Sequence, residues 1–119
     1  MVKILLADDE EAITSELGPF LERCGFEVVV ARSGDETLRK VESFQPHLVV
    51  LDILMPGPNG REVCRRLRAS GNWTPVIMLT TEGQDAKKEQ GRAAGAKAWI
   101  VKPFNPPQLL DAVSKLILP

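Results

Sequence analysis

An unbroken apolar run that ends on a carboxylate is the feature that most constrains the fold of this chain. Leu48-Val49-Val50-Leu51 leads directly into Asp52, and Pro56-Gly57 interrupts the chain shortly afterwards. A run of Leu and β-branched residues without polar alternation predicts a strand that is buried on both faces, as in a parallel sheet. Open parallel sheets bind ligands in the crevice at the carboxyl ends of their strands. We therefore predict that Asp52 ends a central strand and faces such a crevice.

The size and charge of the chain restrict the class of protein. With 119 residues it is long enough for one domain with its own core, and we expect a single domain over residues 1–119. Its 15 Lys and Arg residues nearly balance its 16 Asp and Glu residues, so no basic surface for nucleic acid is indicated. The apolar segments are strand-sized, and no signal-peptide core follows Met1. These features predict a cytoplasmic domain that contacts neither nucleic acid nor membranes directly.

Strand-like and helical patterns alternate along the rest of the chain. Apolar runs predict four further strands, at residues 3–7, 26–31, 75–81 and 98–103. Apolar residues recur at helical spacing after the first, second, third and fifth predicted strands, and Ser33 with Glu36 is a capping box that marks one helix start. Cys24 and Cys64 occupy apolar positions of two predicted helices, and we predict that both are buried thiols. The alternation predicts an α/β fold, a doubly wound five-stranded parallel sheet of flavodoxin-like order 2-1-3-4-5.

Polar side chains stand at the ends of four predicted strands. Asp8 and Asp9 follow the first strand, Asp52 ends the third, Thr80 is near the end of the fourth, and Lys102 is near the end of the fifth. Taken singly, each has a plain structural explanation as a helix cap, a turn residue, a strand end or a surface lysine. The predicted strand order, however, brings all these ends to one edge of the sheet. That coincidence favours a common functional site.

The residue types at this edge indicate chemistry with a metal ion and a phosphoryl group. Carboxylates that lie close together raise one another's pKa unless a cation neutralises them, and an all-oxygen cluster suits Mg²⁺. Lys102 and Thr80 add the positive charge and the hydroxyl donor needed to hold phosphoryl oxygens during transfer. A carboxylate can itself be the nucleophile and form an aspartyl phosphate. Asp52, alone on the central strand, is best placed for that role.

Four motifs resemble the signature regions of response-regulator receiver domains of two-component signalling, and the similarity covers essentially the whole chain. They are Ala7-Asp8-Asp9-Glu10, Leu51-Asp52 with Met55-Pro56-Gly57, Val76-Ile77-Met78-Leu79-Thr80 and Val101-Lys102-Pro103-Phe104. The first half looks more like the receivers of transcription factors. The segment from Thr80 to Trp99 looks more like single-domain chemotaxis regulators.

This resemblance implies a metal site and a phosphoacceptor. Asp52 would accept the phosphoryl group. Asp8 and Asp9 would hold Mg²⁺ together with Asp52 and the backbone carbonyl of Leu54. The expected cofactor is therefore Mg²⁺.

The resemblance also implies a switch. Thr80 and Lys102 would bind the phosphoryl oxygens, and Trp99 occupies the place of the family's aromatic switch residue. Leu54 and Glu82, two residues beyond the acceptor and the threonine, would tune hydrolysis of the aspartyl phosphate. Phosphorylation would then change the surface formed by a fourth helix at about 85–94, the fifth strand and the final helix.

The partners follow from the same resemblance. A sensor histidine kinase or a phosphotransfer protein would donate the phosphoryl group, and an unknown output protein or effector domain would respond. The domain would be a monomer or a weak phosphorylation-dependent dimer. It would not be an enzyme beyond self-catalysed phosphotransfer and autodephosphorylation.

Three other classes of protein compete with the receiver domain as explanations of these residues. A phosphatase of the haloacid dehalogenase type also uses a strand-end Asp nucleophile, but it needs a second Asp two residues on, where this chain has Leu54. A degenerate receiver that serves only as a protein-binding scaffold is disfavoured because all five site residues are present. A flavin-binding module would need a phosphate loop of Ser, Thr and Gly after the first strand, which is missing.

Overall fold

The computed structural model describes residues 1–81 and 95–117. Its five parallel strands are β1 (Lys3–Ala7), β2 (Glu27–Ala31), β3 (Leu48–Asp52), β4 (Val76–Thr81) and β5 (Ala98–Lys102). Their order in the sheet is β2-β1-β3-β4-β5, which confirms the predicted flavodoxin-like topology. All five residues of the central strand β3 are buried, as its uninterrupted apolar pattern predicts.

Four helices connect or follow the strands in the described part of the chain. They are α1 (Glu11–Arg23), α2 (Gly34–Phe44), α3 (Gly60–Ala69) and the C-terminal helix (Pro106–Ile117). The Ser33 hydroxyl accepts a hydrogen bond from the Glu36 N–H at 3.1 Å, so the predicted helix start is confirmed. The predicted helix at 85–94 lies outside the described residues. No helix within 1–81 or 95–117 combines the length and the apolar character needed to cross a bilayer.

The helices cover the sheet on both faces, because successive strand residues point to opposite sides. One face packs against α2 and α3, and its buried members include Leu5, Val49, Leu51, Met78, Val41, Val63 and Leu67. The other face packs against α1 and the C-terminal helix, and its buried members include Ile4, Leu6, Val50, Leu79, Leu17, Leu21, Leu109 and Val113. The sheet therefore has no solvated face in this region, and its polar groups concentrate at the strand ends.

One sequence prediction about the cysteines is wrong. Cys64 is buried on α3, as predicted, but Cys24 is exposed. The reason is that α1 ends at Arg23, so Cys24 is the capping residue just beyond the helix and lies off its apolar stripe.

Candidate functional site

Two carboxylates lie side by side at the carboxyl edge of the sheet. Strands β1 and β3 are adjacent, with Ala7 paired to Leu51, so Asp8 and Asp52 follow at the same level. Both side chains are buried, Asp8 completely. The Asp8 N–H donates to the carbonyl of Ala31 at 3.0 Å, which anchors the turn after β1 to the neighbouring strand. The strand order therefore brings together the two acids that the sequence predicted.

Lys102 is the cation of this site. Its Nζ lies 3.1 Å from Asp8 Oδ2, 3.1 Å from Glu10 Oε1 and 3.4 Å from Asp52 Oδ1. The side chain of Lys102 is only 13% exposed, whereas that of Glu10 is 57% exposed. One ammonium group thus joins two buried carboxylates to one at the surface.

Burial and charge shift the acid–base properties of this cluster. Burial, and then the negative charge of Asp8, raise the pKa of Asp52 to about 6, although Lys102 and a backbone hydrogen bond from Leu54 oppose the shift. Burial by itself would lower the pKa of Lys102, but hydrogen bonds to Asp8 and Glu10 and the nearby carboxylate charges raise it overall. Lys102 is therefore a permanent cation, and Asp52 is an acid whose ionisation depends on its neighbours.

Three acids could hold a metal ion at this edge. Asp8, Glu10 and Asp52 each offer a carboxylate oxygen, and these oxygens lie within 4.8 Å of one another. Such an all-oxygen, partly buried donor set fits Mg²⁺. Asp9, which the sequence also assigned to the metal, is exposed and is not in this trio of described residues. Glu10 is the member that the sequence reasoning did not single out, although it ends the acidic run after β1.

The structure places three of the remaining predicted residues, Thr80, Trp99 and Leu54, on or next to the strands that form the site. Thr80 is buried in β4 and pairs with Val101 of β5. Met78 pairs with Trp99, and side chains alternate along each strand, so Thr80 and Trp99 share the α2/α3 face of the sheet. Leu54 follows the acceptor strand and is 53% exposed. Glu82 lies outside the described residues.

Two glycines hold the loop 53–59 that follows Asp52. The Gly60 N–H donates to the carbonyl of Ile53 at 2.8 Å, and a Cβ at Gly60 would lie 2.5 Å from the carbonyl oxygen of Asp52. The Gly34 N–H donates to the carbonyl of Pro56 at 3.1 Å, and a Cβ there would lie 2.0 Å from the Pro58 carbonyl oxygen. Only glycine permits such close approach of two backbones. The starts of α2 and α3 therefore hold the loop next to the acceptor.

Residues 4–114 match the family model described as the response regulator receiver domain. The chain belongs to this family. It is 39% identical over 115 residues to the alkaline phosphatase synthesis transcriptional regulatory protein PhoP of Bacillus subtilis, and 42% identical over 115 residues to the transcriptional regulatory protein ResD of the same organism. Each alignment covers 97% of this chain and 48% of the relative, so the chain spans about half the length of these proteins.

Solved structures agree with this assignment. The chemotaxis protein CheY4 of Vibrio cholerae is 36% identical, with a TM-score of 0.92 over 98% of this chain and 99% of that one. Receiver domains are phosphoacceptor switches of two-component systems rather than enzymes in the usual sense. The cluster of Asp8, Asp52 and Lys102 fits the phosphorylation site of such a domain.

Proposed function

We propose that the domain formed by residues 1–119 is a signalling switch in which Asp52 accepts a phosphoryl group from a histidine kinase or a phosphotransfer protein. The observation that carries this proposal is the buried Asp52 carboxylate at the carboxyl end of the central strand, 3.4 Å from the ammonium of Lys102. A nucleophile there is shielded from water by the protein and faces a fixed positive charge.

The proposed transfer assigns a task to each residue. A carboxylate oxygen of Asp52 attacks phosphorus, the phosphorus–nitrogen bond to the donor histidine breaks, and the imidazole nitrogen keeps the electron pair and takes up a proton. Lys102 binds a phosphoryl oxygen and balances its charge, and the Thr80 hydroxyl donates to another. Asp52 must be ionised to attack, and the ammonium of Lys102 favours that form.

The carboxylates of Asp8 and Asp52 would hold Mg²⁺, with Asp9 and the carbonyl of Leu54 as further ligands implied by the family resemblance. Once bound, the ion would supply positive charge that lets an anionic phosphoryl group approach an anionic acceptor. Removal of either buried acid should therefore abolish phosphorylation for different reasons. Asp52 is the nucleophile, whereas Asp8 only prepares the site.

The output of the switch would run through Thr80 and Trp99. A phosphoryl oxygen that draws the Thr80 hydroxyl toward the site opens space behind it on the α2/α3 face. Trp99 shares that face and can turn further inward, which biases a pre-existing two-state equilibrium. The altered surface would comprise β5, the C-terminal helix and the segment 85–94. It would bind a cytoplasmic output protein or effector domain. The domain itself would be a monomer or a weak phosphorylation-dependent dimer.

Labelling with a small phosphodonor tests this function directly. The protein is incubated with acetyl phosphate with and without Mg²⁺, and the aspartyl phosphate is located by intact-mass and peptide mass spectrometry. We expect labelling only with Mg²⁺, and none in Asp52→Asn. Glu42→Gln, which changes an exposed carboxylate far from the site, is the control and should label like the parent.

Unchanged labelling of Asp52→Asn would overturn the assignment of the acceptor. Absence of labelling in the parent would favour the scaffold alternative, in which the domain binds a partner without accepting a phosphoryl group.

A further inference from the structure

Glu10 is held in place by its backbone rather than by its side chain. Its N–H donates to Asp8 Oδ1 at 2.9 Å, and its carbonyl accepts from Ile13 and Thr14 at 3.1 and 3.2 Å. Glu10 is the N-cap residue of α1, yet its side chain makes no capping hydrogen bond. The carboxylate is therefore not used by the helix and is available to the site.

That carboxylate engages one of the three donors of the Lys102 ammonium. Asp8 and Asp52, the other two partners, are buried, so the bond to Glu10 is the one on the solvent side. A donor molecule must bring its phosphoryl group to Asp52 from that side. The Glu10 oxygen thus accepts the hydrogen bond from the Lys102 N–H group that an arriving phosphoryl oxygen would need.

The surroundings of Glu10 allow its carboxylate to leave. Glu10 and Lys102 border a cavity of about 320 Å³ between α1 and the C-terminal helix, whose wall also includes Ile13 and Phe104. The Glu10 end of this ion pair is exposed, so water can replace its hydrogen bond when the carboxylate leaves, and the exchange costs little. Space and low cost together make the Glu10–Lys102 contact exchangeable.

We propose that Glu10 is a positioning residue whose carboxylate stands in for a phosphoryl oxygen on Lys102 in the unphosphorylated protein and must be displaced when the phosphoryl group arrives. This inference rests on the proposed function. Glu10 holds the ammonium at the mouth of the site, and it also competes with the phosphoryl group for it. Its negative charge, in addition, supports a cation held by Asp8 and Asp52.

These two effects predict that removal of the Glu10 carboxylate changes the affinities for two ligands in opposite directions. Without the Glu10 carboxylate, an anion that mimics the phosphoryl group should bind more tightly, because Lys102 has one competitor fewer. Mg²⁺ should bind more weakly, because one negative charge is gone and the ammonium turns more toward Asp8 and Asp52. Damage to the fold would weaken both ligands.

The experiment measures beryllofluoride affinity at saturating Mg²⁺, and Mg²⁺ affinity alone, by calorimetry in four proteins. They are the parent, Glu10→Gln, Glu10→Asp and Glu11→Gln. Glu10→Asp keeps the charge but shortens the side chain by one methylene, which draws its carboxylate away from Lys102. Glu11→Gln removes the same charge one residue further on, from an exposed side chain that forms no ion pair in 1–81 or 95–117.

We expect beryllofluoride to bind about threefold more tightly to Glu10→Gln and Glu10→Asp, and with parental affinity to Glu11→Gln. Mg²⁺ should bind about threefold more weakly to Glu10→Gln. With acetyl phosphate at saturating Mg²⁺, the KM for the phosphodonor should fall in both Glu10 variants and stay at the parental value in Glu11→Gln, because the Glu10 contact competes with binding of the donor's phosphoryl group.

Beryllofluoride affinity in Glu10→Gln that equals or falls below that of the parent would overturn the inference. An equal gain in Glu11→Gln would do the same, since it would reveal a general charge effect. In both cases a parent that is still labelled at Asp52 leaves the proposed function standing. A parent that neither binds beryllofluoride nor labels would instead remove the function itself.

Discussion

The ammonium of Lys102 lies 3.4 Å from Asp52 Oδ1, yet the pKa of Asp52 is raised to about 6. One lysine shared among three carboxylates does not offset the burial of Asp52 and the charge of Asp8 beside it. The metal-free site therefore holds more negative charge than its own cation balances. We expect this imbalance to lower the stability of the metal-free fold at neutral pH and to favour binding of a cation.

Asp52→Asn should stabilise the metal-free protein above pH 6. The folded pKa of about 6 lies above the ordinary value of 3.8, so the proton on Asp52 favours the folded state. That stabilisation is complete below about pH 4 and is lost as the pH rises through 6. The neutral amide of Asp52→Asn avoids this loss. We therefore expect the free energy of unfolding to be about 1 to 3 kcal/mol higher than that of the parent at pH 8, with a smaller difference toward pH 5. Urea unfolding of Asp52→Asn and the parent at both pH values measures this difference. A difference that does not change with pH would contradict its origin in the raised pKa of Asp52.

Gly60→Ala should destabilise the fold because its Cβ would lie 2.5 Å from the Asp52 carbonyl oxygen and 2.9 Å from Ile53 Cα. Backbone on both sides must shift, at an expected cost of about 2 to 3 kcal/mol. Gly18→Ala is the matched control, because Gly18 lies inside α1 and, among residues 1–81 and 95–117, no atom beyond its chain neighbours and its own helix backbone lies within 4 Å of where a Cβ would stand. It should stabilise the helix by about 0.5 to 1 kcal/mol. Thermal unfolding of the two variants measures the expected loss of stability in Gly60→Ala and the expected gain in Gly18→Ala. Parental stability of Gly60→Ala would refute the close approach of the two backbones.

Leu54→Asn should shorten the life of the aspartyl phosphate. The Leu54 side chain is 53% exposed beside the acceptor strand, and an apolar group there cannot orient an attacking water. An amide can hydrogen-bond that water, and we expect dephosphorylation to be about fivefold faster, which corresponds to about 1 kcal/mol. The decay of labelled protein after removal of the donor gives the rate. Unfolding in urea serves as the control for intact folding, and an equal or slower decay would defeat this role for Leu54.

Tryptophan emission should report the switch through Trp99 and not through Trp73. Trp73 is 67% exposed, with its ring 5.3 Å from the Arg68 guanidinium carbon, whereas Trp99 packs partly buried against the α2/α3 core. Beryllofluoride with Mg²⁺ should therefore change emission in the parent and in Trp73→Phe. It should leave Trp99→Phe unchanged. A change that follows Trp73 would show that the aromatic switch is not at Trp99.

The segment 85–94 and Glu82, both assigned to the switch or to hydrolysis tuning from the sequence, lie outside the described residues. Their roles stay predictions. Amide exchange measured in the full chain, with and without beryllofluoride, addresses them independently of Trp99.

The sequence by itself determined the sheet, its order and the edge where the site lies. Uninterrupted apolar runs such as Leu48–Asp52 specify strands buried on both faces, and alternation with helices restricts their connections to right-handed crossovers. Asp8, Asp52 and Lys102 could be placed together from this alone, because the end of a parallel strand has a known position once the strand order is known.

Only the tertiary structure decided which side chains meet beyond the strand ends. Past the last ladder hydrogen bond, the direction of a side chain depends on the turn and on the start of the next helix, not on strand alternation. That is why Glu10 reaches Lys102 while Asp9 is exposed, and why Cys24 leaves the apolar stripe at the end of α1. The raised pKa of Asp52 likewise depends on distances and burial that no spacing of residues contains.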